Sequence, residues 1–415
     1  MQQHTIRCWD FLRPLRCRLV QCCLPRKGAP VYLIDRATIE DHERTILAPY
    51  AALSAESRGR AYPQPEHSFR TCFQRDRDRI VHSAAFRRME FKTQVFLPHE
   101  GDHFRTRLTH TIEVAQISRT MARCLRLNED LAEAIALAHD LGHTPFGHAG
   151  EDVLHDLLKE QGGFNHNNQS LRVVEILEQR YVEHPGLNLS YEVREGIVKH
   201  ETSMKISRPE FGPSSRPTLE ASLVDIADEI AYNAHDVDDG VNAGLIRLED
   251  LRELGIWKAA PLADPFETSG VWKNLDEGQR RYLVVRYLIE AMTTDVLKET
   301  ARRLEAGNVT SVDDLRNSID RVAQYSLHLD PYVRELKSFL RTRLYKHPRL
   351  MTLIQRARTT IEFLFDYFMK DPEKLPARYH EMLLTEKTEV VIADYIAGMT
   401  DRYAERLFAQ YELHH

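Results

Sequence analysis

The sequence predicts an all-α protein, and three observations support that fold class. Apolar residues recur at intervals of three and four along most segments from Arg75 onward, which is the period of an amphipathic helix. The alternation of apolar and polar residues that is typical of half-buried strands is nearly absent. No strong linker divides the chain after its first thirty residues. We therefore predict about a dozen or more helices in one globular unit.

Composition limits the class of protein further. The 415 residues are 42% hydrophobic and 28% charged, which is typical of a globular protein with a substantial core. A formal net charge of -6 argues against a purely electrostatic nucleic-acid binder but permits a local basic pocket. No apolar run is long enough to span a membrane, and no secretory signal or disulfide framework is evident. We expect a cytoplasmic protein with reduced cysteines and no membrane association.

The first thirty residues differ from the rest of the chain. They are basic and cysteine-rich, prolines interrupt them, and Asp10 is their only acidic residue. We predict that residues 1–30 are a disordered N-terminal extension or the product of a start codon upstream of the biological one. A basic targeting segment or a membrane-surface segment is the alternative.

The first strongly patterned helices flank the most informative motif. A predicted amphipathic helix covers Arg107–Leu125 and contains His110. Asn128 is an N-cap candidate for the next helix, whose apolar stripe continues into His139. Glycines and a proline between positions 142 and 147 end that helix. The short connection between the two helices predicts that they are antiparallel neighbours.

The remaining helical patterns follow in chain order. Two loops are predicted between them, at about 207–217 and 259–278, where proline and glycine accumulate. The predicted helices are Gln169–Arg180, Tyr191–Glu201, Leu219–Asp236, Gln279–Leu304, Leu336–Leu344, Arg349–Met369 and Lys387–Ala409.

Three histidines and two carboxylates lie within thirteen positions at the end of the predicted His139 helix. At a helix end the backbone can turn, so adjacent His139 and Asp140 can converge on one cation. Imidazole and carboxylate together suit Mn, Fe, Co, Ni or Zn, and a carboxylate-rich site also tolerates Mg. His110 is a natural third ligand because it lies on the neighbouring predicted helix. His143, His148 and Glu151 complete the cluster, where unused polar groups would make a poor core.

A fourth ligand is expected to be a carboxylate on a buried helix. In the predicted helix Leu219–Asp236, an apolar stripe marks one face as buried. Asp228, Tyr232 and Asp236 recur at four-residue steps and therefore line a neighbouring face. One acid can bind metal while Tyr232 and Asp236 face a substrate.

A second histidine motif is not expected to bind metal. His99-Glu100-Gly101-Asp102-His103 fits the HExxH pattern of zinc proteases, which requires both histidines on one face of a helix. Pro98 precedes the motif and Gly101 interrupts it, so the sequence predicts no helix there.

These motifs resemble a known family. His110, the His139-Asp140 pair and Asp228 are similar to the H…HD…D metal set of the HD-domain phosphohydrolases. Further motifs resemble the dGTPase-like deoxynucleoside triphosphate triphosphohydrolases: Phe73-Gln-Arg-Asp-Arg-Asp-Arg, Lys92-Thr-Gln-Val-Phe, Arg105-Thr-Arg-Leu-Thr-His-Thr, the His139 to Glu151 motif and Asp236-Val-Asp-Asp-Gly. The resemblance extends from about residue 42 to Leu407. It implies an HD-domain helical phosphohydrolase fold with additional C-terminal helices, an HD catalytic region at 31–245 and a helical region at 246–415 packed on it.

The resemblance also implies a reaction and its residues. The expected activity is metal-dependent attack on the α-phosphate of a dNTP, which releases deoxynucleoside and inorganic triphosphate. His148 is the expected proton-transfer residue, Glu151 is expected to orient it, and Arg107 is expected to bind a phosphate. The expected metal ligands are His110, His139, Asp140 and Asp228, for Mg or Mn above all. The α-phosphate is expected to meet His143, His148 and His166, and the deoxyribose to meet Gln94, Tyr232 and Asp236.

Partners and competing functions follow from the same resemblance. Members of the family often form homo-oligomers and respond to dNTP effectors, and we also consider weak binding of single-stranded DNA. Two alternatives stay open at this point. One is another HD phosphohydrolase, acting on a nucleoside monophosphate or a cyclic nucleotide. The other is a catalytically silent sensor of nucleotides or single-stranded DNA.

Overall fold

The computed structural model describes residues 33–95, 104–200, 208–212, 215–259 and 271–413. Asp35–His415 form one compact unit. The described residues contain no β-strand, and their only extended pairings are isolated bridges such as the one between Thr93 and Thr106. The predicted all-α class is therefore confirmed. The predicted N-terminal extension and the HExxH motif lie outside the described residues.

The helices before position 260 carry the predicted site motifs. Short polar side chains cap most of their N-termini; for example, Thr106 accepts a hydrogen bond from the Thr109 amide, and Asn128 accepts one from the Leu131 amide. The helices are α1 (Arg36–Ile46), α2 (Cys72–Val81), α3 (Ala84–Arg88), α4 (Arg107–Cys124), α5 (Glu129–Ala138), α6 (His148–Leu157), α7 (His166–Arg172), α8 (Tyr191–Val198), α9 (Leu219–Asn242), α10 (Leu248–Arg252) and α11 (Gly255–Ala259).

The helices after position 270 form the C-terminal part of the fold. The longest of them begins with a capping box between Asp276 and Gln279. They are α12 (Val271–Asn274), α13 (Glu277–Ala306), α14 (Val312–Arg316), α15 (Asp330–Leu340), α16 (Pro348–Lys370), α17 (His380–Leu383), α18 (Thr388–Ala397) and α19 (Asp401–Glu412).

Two apolar cores hold these helices together. The first core surrounds α5, whose alternating alanines allow α2, α4, α8 and α9 to approach it closely. The long helix α13 also packs against α9. The second core joins α6 to the C-terminal helices α16, α18 and α19. The segment between α5 and α6 therefore connects the two cores.

Several predicted helix boundaries were wrong for identifiable reasons. The predicted end of α9 at Asp236 was too early, because the helix continues to Asn242 with Gly240 leaving room for Ile246. The predicted helix 387–409 is two helices, since Thr400 caps a new one at Asp401. The predicted helix Gln169–Arg180 begins earlier, because Asn165 caps α7 directly before His166. The chain then forms a π-helical turn and leaves the helix at Leu177, not at Arg180.

Two sequence expectations concern cysteines and the membrane. Cys72 is buried and Cys124 exposed, and neither forms a disulfide; the other four cysteines lie outside the described residues. Among the described helices, none combines the length and the apolar character needed to cross a bilayer.

Candidate metal centre and active site

Three helices bring the four predicted metal ligands together. His110 lies on α4, His139 and Asp140 follow the last residue of α5, and Asp228 lies on α9. Because α4 packs against both α5 and α9, the first turn of α4, the end of α5 and the middle of α9 meet. We call His110, His139, Asp140 and Asp228 the ligand cluster.

The side chains of the ligand cluster are within contact distance. His110 Nε2 lies 2.9 Å from Asp228 Oδ1, and His139 Nε2 lies 3.7 Å from the same oxygen. Asp140 contributes its own two oxygens, 3.3 Å from His139 Nε2 and 3.9 Å from His110 Nε2. The ligand atoms of His110, His139 and Asp228 lie within 4.8 Å of one another, and Asp140 lies beside them. Two imidazoles and two carboxylates are a donor set that suits a divalent transition metal or a carboxylate-tolerant Mg site.

One buried nitrogen supports a cation at this point. His139 Nδ1 lies 2.6 Å from the carbonyl oxygen of Ala136 and must donate to it. In its neutral form the ring then has its lone pair on Nε2, which is buried and has no hydrogen-bond partner. A divalent metal ion bound there would satisfy this atom. The residues thus fit the divalent metal that the resemblance in the sequence implies.

The local charges keep the two carboxylates ionised. Burial would raise the pKa of Asp140, but His139 and the Arg107 guanidinium hold it well below its usual range. Arg107 is 2% exposed, and its Nη1 donates to Asp140 Oδ2 over 2.8 Å. Burial would likewise raise the pKa of Asp228, but the adjacent imidazoles of His110 and His139 lower it strongly. Ionised carboxylates in a buried pocket favour a bound cation.

A second cluster lies beside the first. His143, His148, Glu151 and His166, which we call the reaction cluster, surround one carboxylate. Glu151 Oε1 lies 2.9 Å from His166 Nδ1, and Glu151 Oε2 lies 3.4 Å from His148 Nδ1. The rings of His143 and His166 stack with 4.0 Å between centroids. His143 Nε2 is 3.2 Å from Asp140 Oδ1 and links the two clusters.

Two glycines make this arrangement possible. A Cβ on Gly142 would lie 2.2 Å from the amide nitrogen of Ser170, so only glycine lets α7 approach the turn and bring in His166. Gly147 adopts a φ of +58° directly before α6, the helix that carries His148 and Glu151.

The reaction cluster contains two different kinds of histidine. Burial and the nearby Arg107 hold the pKa of His143 well below its usual value, so that ring is neutral. The surroundings of His148 also disfavour its charged form, yet the hydrogen bond with Glu151 raises its pKa overall. Its side chain is 61% exposed, whereas that of His143 is buried. His148 is therefore the histidine that can carry a proton and still meet a ligand.

A polar cavity of about 240 Å³ opens over both clusters. Arg107, His110, Asp140, His148 and Asp228 are among its lining residues. An adjoining cavity of about 110 Å³ is lined mainly by apolar side chains of α16 and the turn before α6. The two cavities share three lining residues: Gln94, His148 and Tyr232.

The expected sugar-binding residues occupy different positions. Gln94 and Tyr232 lie where the two cavities meet, and the Tyr232 ring stacks on Tyr345 with 6.1 Å between centroids. Asp236 lines neither cavity. It is 1% exposed, its Oδ2 has no hydrogen-bond partner, and burial raises its pKa well above the usual value.

Several residues at the site were not predicted from the sequence. His200 Nε2 lies 3.4 Å from Asp228 Oδ2, and His200 Nδ1 lies 2.6 Å from Asp225 Oδ1. Asp225 could have been identified from the sequence, because it lies three residues before Asp228 on the same helix and therefore near the same face. Arg321 and Lys337 also line the polar cavity, but only tertiary packing brings them there from a hundred residues away.

Comparisons with known proteins agree with this geometry. The chain matches the HD domain over residues 107–233 and the phosphohydrolase-associated domain over residues 323–410. A deoxyguanosinetriphosphate triphosphohydrolase-like protein from Azoarcus is 51% identical over 382 residues, which cover 89% of this chain and 98% of that protein. The chain belongs to the deoxyguanosinetriphosphate triphosphohydrolase-like family. The resemblance seen in the sequence is thereby confirmed.

Other members of the deoxyguanosinetriphosphate triphosphohydrolase-like family match over nearly their whole length. A relative of the same name from Geobacter sulfurreducens is 45% identical, and the match covers 92% of this chain and 100% of that protein. Another from Ralstonia nicotianae is 49% identical, and the match covers 88% of this chain and 95% of that protein. A solved structure of a hypothetical protein from Aquifex aeolicus is only weakly similar, with a TM-score of 0.31, 18% identity and coverage of 73% and 79%. The HD domain match contains all four residues of the ligand cluster.

Proposed function

We propose that this protein hydrolyses deoxynucleoside triphosphates at the α-phosphate to deoxynucleoside and inorganic triphosphate, with Mg or Mn as its metal. The observation that carries the proposal is a polar cavity lined by residues of both the ligand cluster and the reaction cluster. Relatives at 45–51% identity carry the name deoxyguanosinetriphosphate triphosphohydrolase-like protein.

The ligand cluster would hold the metal. When bound, a divalent ion polarises a phosphoryl oxygen and lowers the pKa of bound water. His110, His139, Asp140 and Asp228 are the residues that would bind it. Arg107 holds Asp140 ionised and lines the cavity, and its Nε has no hydrogen-bond partner. Its guanidinium can therefore also stabilise negative charge that develops on the α-phosphoryl oxygens.

The reaction cluster supplies proton transfer. His148 Nδ1 faces Glu151, which leaves Nε2 for the substrate. With its pKa raised, His148 can donate a proton to the leaving 5′-oxygen of the deoxynucleoside. Glu151 orients His148 and His166 together, because it faces an Nδ1 of each. His143 stays neutral and, with His166, lines the cavity beside the α-phosphate.

The shape of the cavity supports a deoxyribonucleotide. The polar cavity suits a triphosphate, with Arg321 and Lys337 on its wall, and the adjoining apolar cavity suits a base. The sugar would then lie against Gln94 and Tyr232, where the tyrosine ring excludes a 2′-hydroxyl. Asp236, buried outside both cavities, would reach a 3′-hydroxyl only if the substrate opened a path to it. A homo-oligomer, a dNTP effector site and weak binding of single-stranded DNA also belong to this proposal.

The test is a panel of nucleotides with product identification. Purified protein is incubated with each dNTP, singly and mixed, and with each rNTP, in Mg or Mn. We expect deoxynucleoside and intact triphosphate from at least one dNTP and none from rNTPs. Release of pyrophosphate or phosphate would contradict the proposal, as would turnover only of monophosphates or cyclic nucleotides. Binding without turnover under every condition would indicate a sensor instead.

A further inference from the structure

The metal ligand His110 has a buried partner on its other ring nitrogen. His110 Nδ1 lies 3.2 Å from Nδ1 of His235, and His235 Nε2 lies 2.8 Å from Glu113 Oε2. Both histidines are almost completely buried, with exposures of 1% and 2%. The side chains therefore form a continuous row from Glu113 through His235 and His110 to the ligand cluster.

The helices fix this row in place. His110 and Glu113 lie three residues apart on α4, and Asp228 and His235 lie seven residues apart on α9, so each pair shares a helix face. His110 faces Asp228 with one nitrogen and His235 with the other. Arg105 Nε donates to Glu113 Oε2 over 3.0 Å and keeps that carboxylate in position.

The carboxylate determines where each proton lies. Glu113 accepts hydrogen bonds, so His235 must carry its proton on Nε2 and leave Nδ1 as an acceptor. His110 must then donate from Nδ1, because two acceptor nitrogens cannot face each other at 3.2 Å. That tautomer leaves the lone pair of His110 on Nε2. The lone pair faces Asp228 Oδ1 at 2.9 Å, which is favourable when a cation contacts both atoms.

We infer that His235 and Glu113 are positioning residues for the metal, acting as a carboxylate–histidine relay that fixes the tautomer and orientation of His110. This inference rests on the metal site of the proposed function. Metal-ligating histidines generally donate their second N–H to such a partner, which orients the ring and raises its basicity. Here the partner is a second histidine, and the relay joins the two helices that carry His110 and Asp228.

Metal affinity, not activity, tests the relay. His235→Leu removes the acceptor for His110 Nδ1, and we expect it to weaken Mn²⁺ binding by about 10–100-fold. His235→Asn places an amide oxygen near the position of Nδ1, and we expect it to restore most of that loss. Glu113→Gln retains an acceptor without the charge, and we expect an intermediate loss. Affinity is measured by calorimetry on metal-free protein at fixed pH, without nucleotide.

Controls separate positioning from folding. His184 is also buried, at 5% exposure, but it contacts Gln64 and Pro185 outside the site, so His184→Leu should retain wild-type Mn²⁺ affinity. Thermal unfolding of each metal-free variant shows whether it folds. If His235→Leu does not fold, Glu113→Gln decides, because the Glu113 side chain is 42% exposed and its exchange leaves the core intact.

The outcomes are distinct from those of the proposed function. Wild-type Mn²⁺ affinity in a folded variant, either His235→Leu or Glu113→Gln, would overturn the relay. The proposed function would not be affected by that result. A wild-type protein that binds no divalent metal would overturn the metal site itself. The relay would also be contradicted if His235→Leu lost Mn²⁺ affinity and His235→Asn lost as much. That result would mean that His110 does not depend on a hydrogen-bond acceptor at position 235.

Discussion

The ligand cluster and the reaction cluster touch each other but depend on different parts of the fold. The ligand cluster comes from α4, α5 and α9, which all belong to the first core. The reaction cluster combines the turn after α5 with α6 of the second core and α7 of the first. Metal binding should therefore depend on one core, whereas turnover should depend on how the two cores are held together.

The C-terminal helices control the turn between the clusters. Lys92 Nζ donates to the carbonyl oxygens of His143 and Ala397, and Asp401 accepts from the amide of Phe146. The match to the phosphohydrolase-associated domain covers both Ala397 and Asp401. The additional helices thus fix the segment on which the reaction cluster is built, a role that their distance in sequence from the HD motif conceals.

The largest effect is expected in the ligand cluster. Asp228→Ala removes the carboxylate that His110, His139 and His200 all approach. We expect the loss of Mn²⁺ affinity to exceed the ~100-fold typical of an outer-shell partner, with turnover falling to background. Calorimetry and a product assay measure the two losses. Asp250→Ala is the control, because that carboxylate is similarly exposed and its ion-pair partner Arg247 lies outside the site. Wild-type metal binding by the Asp228 variant would refute the ligand assignment.

The next effect separates the two clusters. His148→Ala removes the proposed proton donor but leaves every member of the ligand cluster in place. We expect kcat to fall by about 10²–10⁴-fold, the usual contribution of general acid–base catalysis, with Mn²⁺ affinity unchanged. His155→Ala on the same helix is the control, because His155 contacts the carbonyl of Phe164 and not Glu151. Retained turnover in the His148 variant would remove it from the reaction.

The clusters also differ in how far the sequence revealed them. His139 and Asp140 are adjacent at a helix end, so their convergence needs no knowledge of the tertiary fold. His200, His235 and Glu113 were missed, because each looks like an ordinary helical residue until α4, α8 and α9 pack together. Their distances from the ligands, 3.4 Å for His200 and 3.2 Å for His235, are consequences of packing.

The fold class was predictable where the sequence pattern is local. Asn128 caps α5 as predicted, and the apolar residues of that helix are buried. In α4 the apolar spacing is a poorer guide, because Ile112 is 51% exposed. The end of α9 was not predictable, because Gly240 looks like a helix terminator but serves to accommodate Ile246. The predicted division of the catalytic and C-terminal regions at residue 246 stays a prediction.

A smaller effect tests the connection between the cores. A Cβ on Gly150 would lie 2.1 Å from the Pro145 carbonyl oxygen and 2.9 Å from Ile361 Cδ1, so Gly150→Ala must displace α6 against α16. We expect kcat to fall by up to about 10²-fold, as for a misplacement of about 1 Å, while Mn²⁺ affinity stays near that of the wild type. In the control Gly278→Ala, the nearest atom outside the neighbouring residues is 3.4 Å away. Equal losses of kcat and metal affinity would show that the clusters are not separable.

The smallest effect is a shift in pH dependence within the reaction cluster. The hydrogen bond with Glu151 raises the pKa of His148, so the protonated donor is present at low pH and is lost as pH rises through that pKa. Glu151→Gln removes the negative charge, lowers the pKa of His148 and should move the alkaline limb of the kcat profile to lower pH. Measurement of kcat across pH at saturating metal tests this. If the alkaline limb stayed at the wild-type pH, the group that limits the reaction there would be one other than His148.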